Sequence, residues 1–264
     1  MTYIPGRGSH RRKERDKTPE SRRDEEPRKE YIPANDIDIL KLKNAHEELA
    51  DTHRTLRESQ AEMIFRFAIA AEYKDGDTGS HIMRISDYST EMGNALGLSH
   101  HDLECLRYAS PMHDIGKLGI PDKILQKPGK LDDSEWEVMK QHTIIGFNIF
   151  KGSHSPLLKA AAEIALTHHE KFDGSGYPDG LKAEHIPIFG RIVALLDVFD
   201  AVISKRCYKT ASTFEEGMKC IEELSNSHLD PDLVKVFMKL EGKMFKIYSA
   251  NKSIQQYVKD EEIQ

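Results

Sequence analysis

From Asp36 onward, apolar residues recur at helical spacing. Leu42, Leu49, Leu56 and Met63 fall every seven residues, a heptad row that suggests a coiled-coil or docking helix. The companion row, Ala45, Thr52, Ser59 and Arg66, is poor. The pattern therefore fits either a homodimer through residues 36–66 or a helix packed on its own domain. Ile85, Tyr88, Met92 and Leu96 form a second stripe, which stops at Gly97. Asp132 with Glu135, and Thr213 with Glu216, have capping-box spacing. Ser155-Pro156 and Asp230-Pro231 each set a capping residue before a proline at the first helical position. No alternating strand pattern and no internal repeat appears. The expected fold is all-α, with one long irregular stretch at about 170–186.

Composition changes this picture at the N-terminus. Among residues 1–30 only Met1, Tyr3 and Ile4 are hydrophobic, while 10 Lys/Arg stand against 7 Asp/Glu. With Pro5, Pro19, Pro27 and Pro33 added, residues 1–35 read as a disordered charged tail with almost nothing to bury. The tail is net positive in a chain of net charge −6, so the remainder is acidic, which argues against a nucleic-acid polymer as partner. Cys105, Cys207 and Cys220 are an odd set without CxxC spacing and fit thiols in a reducing compartment. The longest apolar run, 186–203, is interrupted by Arg191, Asp197 and Asp200, and nothing approaches the roughly 20 residues that span a bilayer. The N-terminus has no apolar core of the signal-peptide kind, so a cytoplasmic location is expected.

Histidine is the anomaly, with 13 in the chain, several beside carboxylates. Four groups carry the chemistry: Asp77 to His81, His113-Asp114 with Lys117, lone His142, and His168-His169-Glu170 followed by Asp197. Imidazole and carboxylate together suit Fe, Mn, Ni or Zn, and the absence of nearby thiolates argues against a closed structural zinc site. Adjacent helical residues project about 100° apart, so a His-His or His-Asp pair at a helix end can reach two different ions. A carboxylate such as Asp114 can bridge them. Two close metals suit phosphodiester cleavage, because one activates water and both absorb charge on the phosphate. Any single histidine here is more readily a satisfied core residue than a ligand. A calcium loop at Asp75–Gly79 is excluded, because its twelfth position holds Ser86 where Glu is required.

Taken together, His113-Asp114 within HDIGK, His142, HHEKFDGSGYPDG at 168–180 and RIVALLDVFDAVISKRCYK at 191–209 resemble the HD-GYP family, a branch of the HD phosphohydrolases. The resemblance covers about residues 62–255. It implies an HD-type helical bundle over residues 62–264, preceded by a connecting helix at 36–61 and the tail at 1–35. It also implies a metal-dependent phosphodiesterase that hydrolyses cyclic di-GMP to pGpG and GMP, with two or three divalent metals, iron or manganese first and nickel or zinc next. Carried over, the metal ligands are His81, His113, Asp114, His142, His168, His169 and Asp197. Asp77 stands where part of the family has a glutamate that helps to hold a third metal.

By the same resemblance, Asp114 and Lys117 are the catalytic residues. Lys117 faces the scissile phosphate, where its charge stabilises the transition state. Gly176, Tyr177 and Pro178 belong to the substrate loop, and Arg206 and Lys209 contact substrate. Cys207 and Lys205 depart from the commoner proline and aspartate at the substrate rim, which bears on specificity and not on the metals. Two other readings stand beside this one: hydrolysis of another cyclic dinucleotide, such as mixed cyclic GMP-AMP, and a non-catalytic module that binds nucleotide or protein. A regulatory protein partner is compatible with all three.

Overall fold

From Ser80 onward the helices follow the predicted stripes. The computed structural model describes residues 34–75, 79–204 and 213–250. The expected tail up to residue 33, Asp77 and the rim residues Lys205, Arg206, Cys207 and Lys209 lie outside them. The first nine α-helices among the described residues are α1 (Ala34–Asp75), α2 (Ser80–Ala95), α3 (His100–Ala109), α4 (Asp122–Leu125), α5 (Asp133–Phe150), α6 (Pro156–Thr167), α7 (Ile188–Ile203), α8 (Phe214–Glu223) and α9 (Pro231–Lys239). Residues 241–250 are helical again, and no strand is found among the described residues.

The chain divides into two compact units, residues 1–52 and 53–264. In the first, the described residues form the start of α1, where Leu42 and Leu49 are exposed. The helix does not pause at residue 61, because neither Gly nor Pro occurs between Ala34 and Asp75. In the second unit the heptad row does not face the core: Leu56 and Met63 are exposed, as are Phe67 and Tyr73. Ala68, Ala71 and Glu72 are buried instead.

The capping signals mark true starts. Asp132 and Thr213 each accept from the backbone N–H of the glutamate three residues on, whose carboxylate returns to the cap N–H. Asp230 accepts from the N–H groups of Asp232 and Leu233. Ser155 occupies its cap position before Pro156, but its side chain makes no capping bond.

Helix α7 is the axis of the core. Ile192, Leu195 and Phe199 are fully buried, and Phe199 meets Tyr88 of α2 at 5.7 Å, Phe214 of α8 at 5.6 Å and Phe237 of α9 at 4.9 Å. The stripe Ile85, Tyr88 and Met92 of α2 lies against it. Truncating Phe199 to Ala would cost about 3–5 kcal/mol through lost burial and the cavity left behind.

Candidate metal centre

Five short segments converge on one side of this core. His81 is the second residue of α2, and His113-Asp114 lie between a 3₁₀ turn at Ser110–Met112 and another at Ile115–Gly119. His142 is in mid-α5, His168 caps the C-terminus of α6 with His169 next, and Asp197 lies on α7. The approach of the second turn to α5 explains the glycine within HDIGK. A Cβ on Gly116 would stand 1.9 Å from the His142 carbonyl oxygen and 2.5 Å from the Gly146 nitrogen. Only glycine fits there.

Each of four imidazoles uses its Nδ1 to face outward. His113 donates to the Ser110 carbonyl (2.9 Å), His142 to that of Met139 (2.8 Å) and His168 to those of Ile164 and Ala165 (3.0 and 3.1 Å). His81 Nδ1 lies 2.8 Å from Asp200 Oδ2. The acceptors fix the tautomer, so the Nε2 lone pairs point inward. They then meet each other: His81 and His113 at 3.4 Å, His142 and His168 at 3.5 Å. With Nδ1 protonated and the rings neutral, neither pair has a proton to share. Facing lone pairs repel unless a cation lies between their directions.

Asp114 joins the two pairs. Its Oδ1 is buried without a hydrogen bond, 3.4 Å from His142 Nε2 and 3.5 Å from His168 Nε2. Its Oδ2 is 3.4 Å from His113 Nε2 and 2.8 Å from Lys117 Nζ. Ligand atoms of Asp114, His142, His168 and His169 all lie within 4.8 Å of one another, and so do those of His81, His113 and Asp197. An orphaned buried carboxylate oxygen beside inward lone pairs is what a divalent cation satisfies. The donor set fits a hard or borderline metal, and outward Nδ1 bonds are the usual support of a ligating histidine.

The electrostatics agree with that fit. Burial pushes His142 down to about 4 against the pull of Asp114, and burial with the neighbouring His168 holds His169 well below its ordinary value. Both rings are neutral near pH 7. Burial also opposes charge on His113, but Asp114, Asp197 and Glu72 outweigh it and raise the ring to about 9. Asp114 resists burial as well, and Lys117 and His113 keep it well below the usual carboxylate range. The carboxylates around His113 therefore favour positive charge at this point of the site, which a divalent cation would supply.

Several residues essential to this geometry have no ligand or catalytic role in the sequence resemblance. Asp200 accepts from Arg84 through Nε to Oδ1 (2.6 Å) and Nη2 to Oδ2 (2.7 Å), both side chains buried. This pair orients His81. Two carboxylates three residues apart in the otherwise apolar stretch Ile192–Ile203 of α7 were the available clue, since a buried charge requires a partner. Glu170, adjacent to the histidine pair in the sequence, is buried and accepts from the N–H groups of Asp179 (2.8 Å) and Leu181 (3.0 Å). It thereby ties down the loop that holds Gly176, Tyr177 and Pro178.

In that loop, Tyr177 N–H donates to the His169 carbonyl (3.2 Å), and the Tyr177–Pro178 peptide is cis. A Cβ on Gly176 would lie 2.3 Å from the Lys171 nitrogen, so the glycine is sterically required. Glu72 of α1 is buried, and burial raises its carboxyl despite the nearby Lys117 charge. Lys74 donates to the carbonyls of Lys117 (3.4 Å), Leu118 (3.0 Å) and Ile120 (2.7 Å). This ties the end of α1 to the turn that bears Lys117.

An all-α domain built around a histidine–carboxylate cluster able to hold metal is the class that fold and site define. The sequence profile of the HD domain family matches residues 39–233, and the chain belongs to that family, in its HD-GYP branch. It is 48% identical over 182 residues to a cyclic di-GMP phosphodiesterase of Thermotoga maritima, covering 69% of this chain and 50% of that protein. It is 43% identical to the 3'3'-cGAMP-specific phosphodiesterase 2 of Vibrio cholerae, over 69% of this chain and 35% of that protein. The chain thus spans half or less of the length of these curated relatives. A crystal structure of a cyclic GMP-AMP specific phosphodiesterase from V. cholerae shares the fold, with a TM-score of 0.56 at 21% identity, covering 75% of this chain and 52% of that one.

Proposed function

We propose that this chain is a metal-dependent phosphodiesterase that hydrolyses cyclic di-GMP to pGpG and GMP in bacterial second-messenger signalling. The observation that carries the reading is Asp114, whose two oxygens look into two adjoining groups of inward Nε2 lone pairs. Similarity to curated cyclic di-GMP phosphodiesterases supports the substrate class. His81, His113 and Asp197 would hold one divalent ion and His142, His168 and His169 a second, with Asp114 between them; iron or manganese suits this set. When bound, the metals supply an activated water and positive charge for the phosphate.

The chain's own residues then have defined tasks. The Asp200, Ser110, Met139, Ile164 and Ala165 acceptors keep the Nε2 lone pairs aimed at the centre. Lys117, now on Asp114, is within reach of a phosphate oxygen that displaces it, and its charge stabilises the developing negative charge. Gly176, Tyr177 and Pro178 line the substrate side of the loop. Roles for Arg206 and Lys209 in substrate binding, and for Asp77 in a third metal, rest on the sequence resemblance alone. The division into a tail (1–35), a connecting helix (36–61) and a catalytic domain (62–264) rests on composition, the heptad pattern and that resemblance. No helix among the described residues is long and apolar enough to cross a membrane, which is compatible with the expected cytoplasmic location.

Metal analysis of the purified protein, followed by chromatography of products from cyclic di-GMP, tests the reading. One or more metals per chain with pGpG or GMP released supports it, and a metal-loaded protein that leaves cyclic di-GMP intact overturns it. Mixed cyclic GMP-AMP belongs in the same assay, because a relative specific for it is 43% identical. The exposed row Leu42, Leu49, Leu56 and Met63 supports a homodimer through residues 36–66. Light scattering on Leu49→Asp/Leu56→Asp should then show half the native mass, and an unchanged mass removes the helix from assembly.

A further inference from the structure

The molecule has one tryptophan, and it is not in the core. Trp136 is 44% exposed in the first turn of α5. That turn is held firmly: the Asp132–Glu135 capping box closes it, Lys127 grips Glu135, and the Trp136 N–H donates to the Asp132 carbonyl at 2.8 Å. A large aromatic ring is thus presented to solvent on a rigid base. The indole stands against Tyr177 with ring centroids 5.9 Å apart and planes at 81°. Tyr177 in turn lies on His169 at 4.8 Å and 33°. The exposed indole is therefore two ring contacts from the metal centre. The Lys140 ammonium, one turn after Trp136, sits 6.0 Å from the Tyr177 centroid and is paired with Glu137 at 2.7 Å.

We infer that Trp136 and Tyr177 form the stacking corner for a purine base of the nucleotide whose phosphate the metal centre holds. The inference rests on the phosphodiesterase reading above and extends it to base recognition. Two rings at a right angle offer a floor and a wall. A flat base lying between them stacks on one and meets the other edge-on, both of which are favoured aromatic arrangements. A nucleotide's base is separated from its phosphate by one ribose, and this corner stands beside the centre where the phosphate would lie. Aromatic stacking accepts any base, since every base has a π-face. The corner therefore contributes affinity for the base without distinguishing guanine from adenine, and that distinction falls to hydrogen-bonding groups elsewhere on the rim.

The lone indole supplies its own probe. With the metal-loaded chain, GMP and AMP should each quench the tryptophan emission saturably, whereas ribose 5-phosphate, which lacks a base, should leave it unchanged. Trp136→Ala should raise KM for cyclic di-GMP roughly 5- to 100-fold, the range for loss of one base–aromatic stack. The same factor should apply to mixed cyclic GMP-AMP if both are hydrolysed. Metal per chain should stay the same, and Trp136→Phe should recover most of the affinity. A purely structural indole would show neither base-dependent quenching nor rescue by phenylalanine. GMP retained in equilibrium dialysis with unchanged emission, or hydrolysis with KM unmoved in Trp136→Ala, overturns the inference and leaves the activity standing. Failure of the wild-type protein to hydrolyse any cyclic dinucleotide overturns the activity and this inference together.

Discussion

His142 and His168 hand their Nδ1 protons to carbonyls three or four residues earlier in their own helices, whereas His81 of α2 reaches a carboxylate on α7. The first arrangement needs nothing beyond a helix, because a backbone carbonyl one turn back comes with the fold of the segment. The second exists only when α2 and α7 have docked, with Arg84 holding Asp200 and Asp200 holding His81. The His142–His168 pair is therefore oriented locally, whereas in the other group His113 is braced locally by Ser110 and only His81 depends on tertiary structure. Side-chain substitution can reach only the second brace, since a carbonyl cannot be mutated away. The half that contains His81 is the half that mutation away from the ligands can loosen.

Asp114→Ala should have the largest effect, because its carboxylate faces both halves. Turnover should fall below detection, and activity surviving in metal-replete protein would sink the proposed centre. Asp200→Ala comes next: it removes the carboxylate that Arg84 faces and frees the His81 ring. Breaking such a buried pair costs about 3–5 kcal/mol of stability, and losing an outer support of a ligating histidine typically costs 10- to 100-fold in metal affinity. Metal titration followed by analysis of the occupied stoichiometry should show one ion weakened and the other retained. Equal weakening of both would erase the distinction between the halves.

Arg84→Met should be milder at the metal, since Asp200 remains to accept from His81, although stability falls by about 3 kcal/mol in thermal or urea denaturation. Metal loss as severe as in Asp200→Ala would mean that Arg84, not Asp200, orients the ring. The smallest change is expected from Glu170→Gln, which keeps the shape but leaves one of two loop N–H groups without a carboxylate acceptor. About 1–3 kcal/mol should go, with KM raised and metal content intact. Loss of metal would show that the loop helps to hold His168 and His169 in place.

The same contrast sets what the sequence reveals. Ligands grouped in short segments, such as His113-Asp114 and His168-His169, are legible because residue type and spacing carry them. Capping boxes at Asp132 and Thr213 are legible because they are local. The Arg84–Asp200 pair is not, since its members are separated by 116 positions and joined only by packing. Gly116 reads as a motif letter until its distance to the His142 carbonyl shows why no side chain is tolerated. The heptad row is plain in the sequence, yet only the structure shows that α1 turns Ala68 and Ala71 inward and leaves Leu56 and Met63 outside.

The contact made by Lys74 has a consequence for how the protein breathes. An ammonium has three protons, and here three carbonyls, those of Lys117, Leu118 and Ile120, take them. If the last turn of α1 frays, those carbonyls lose the lysine together. If the turn at Ile115–Gly119 opens, the lysine loses its acceptors. The two segments therefore open as one cooperative unit. Amide exchange at Lys117 and Ile120, whose N–H groups bond to Asp114 and Lys117 carbonyls, should slow and quicken in step with the end of α1 and not with the neighbouring α5.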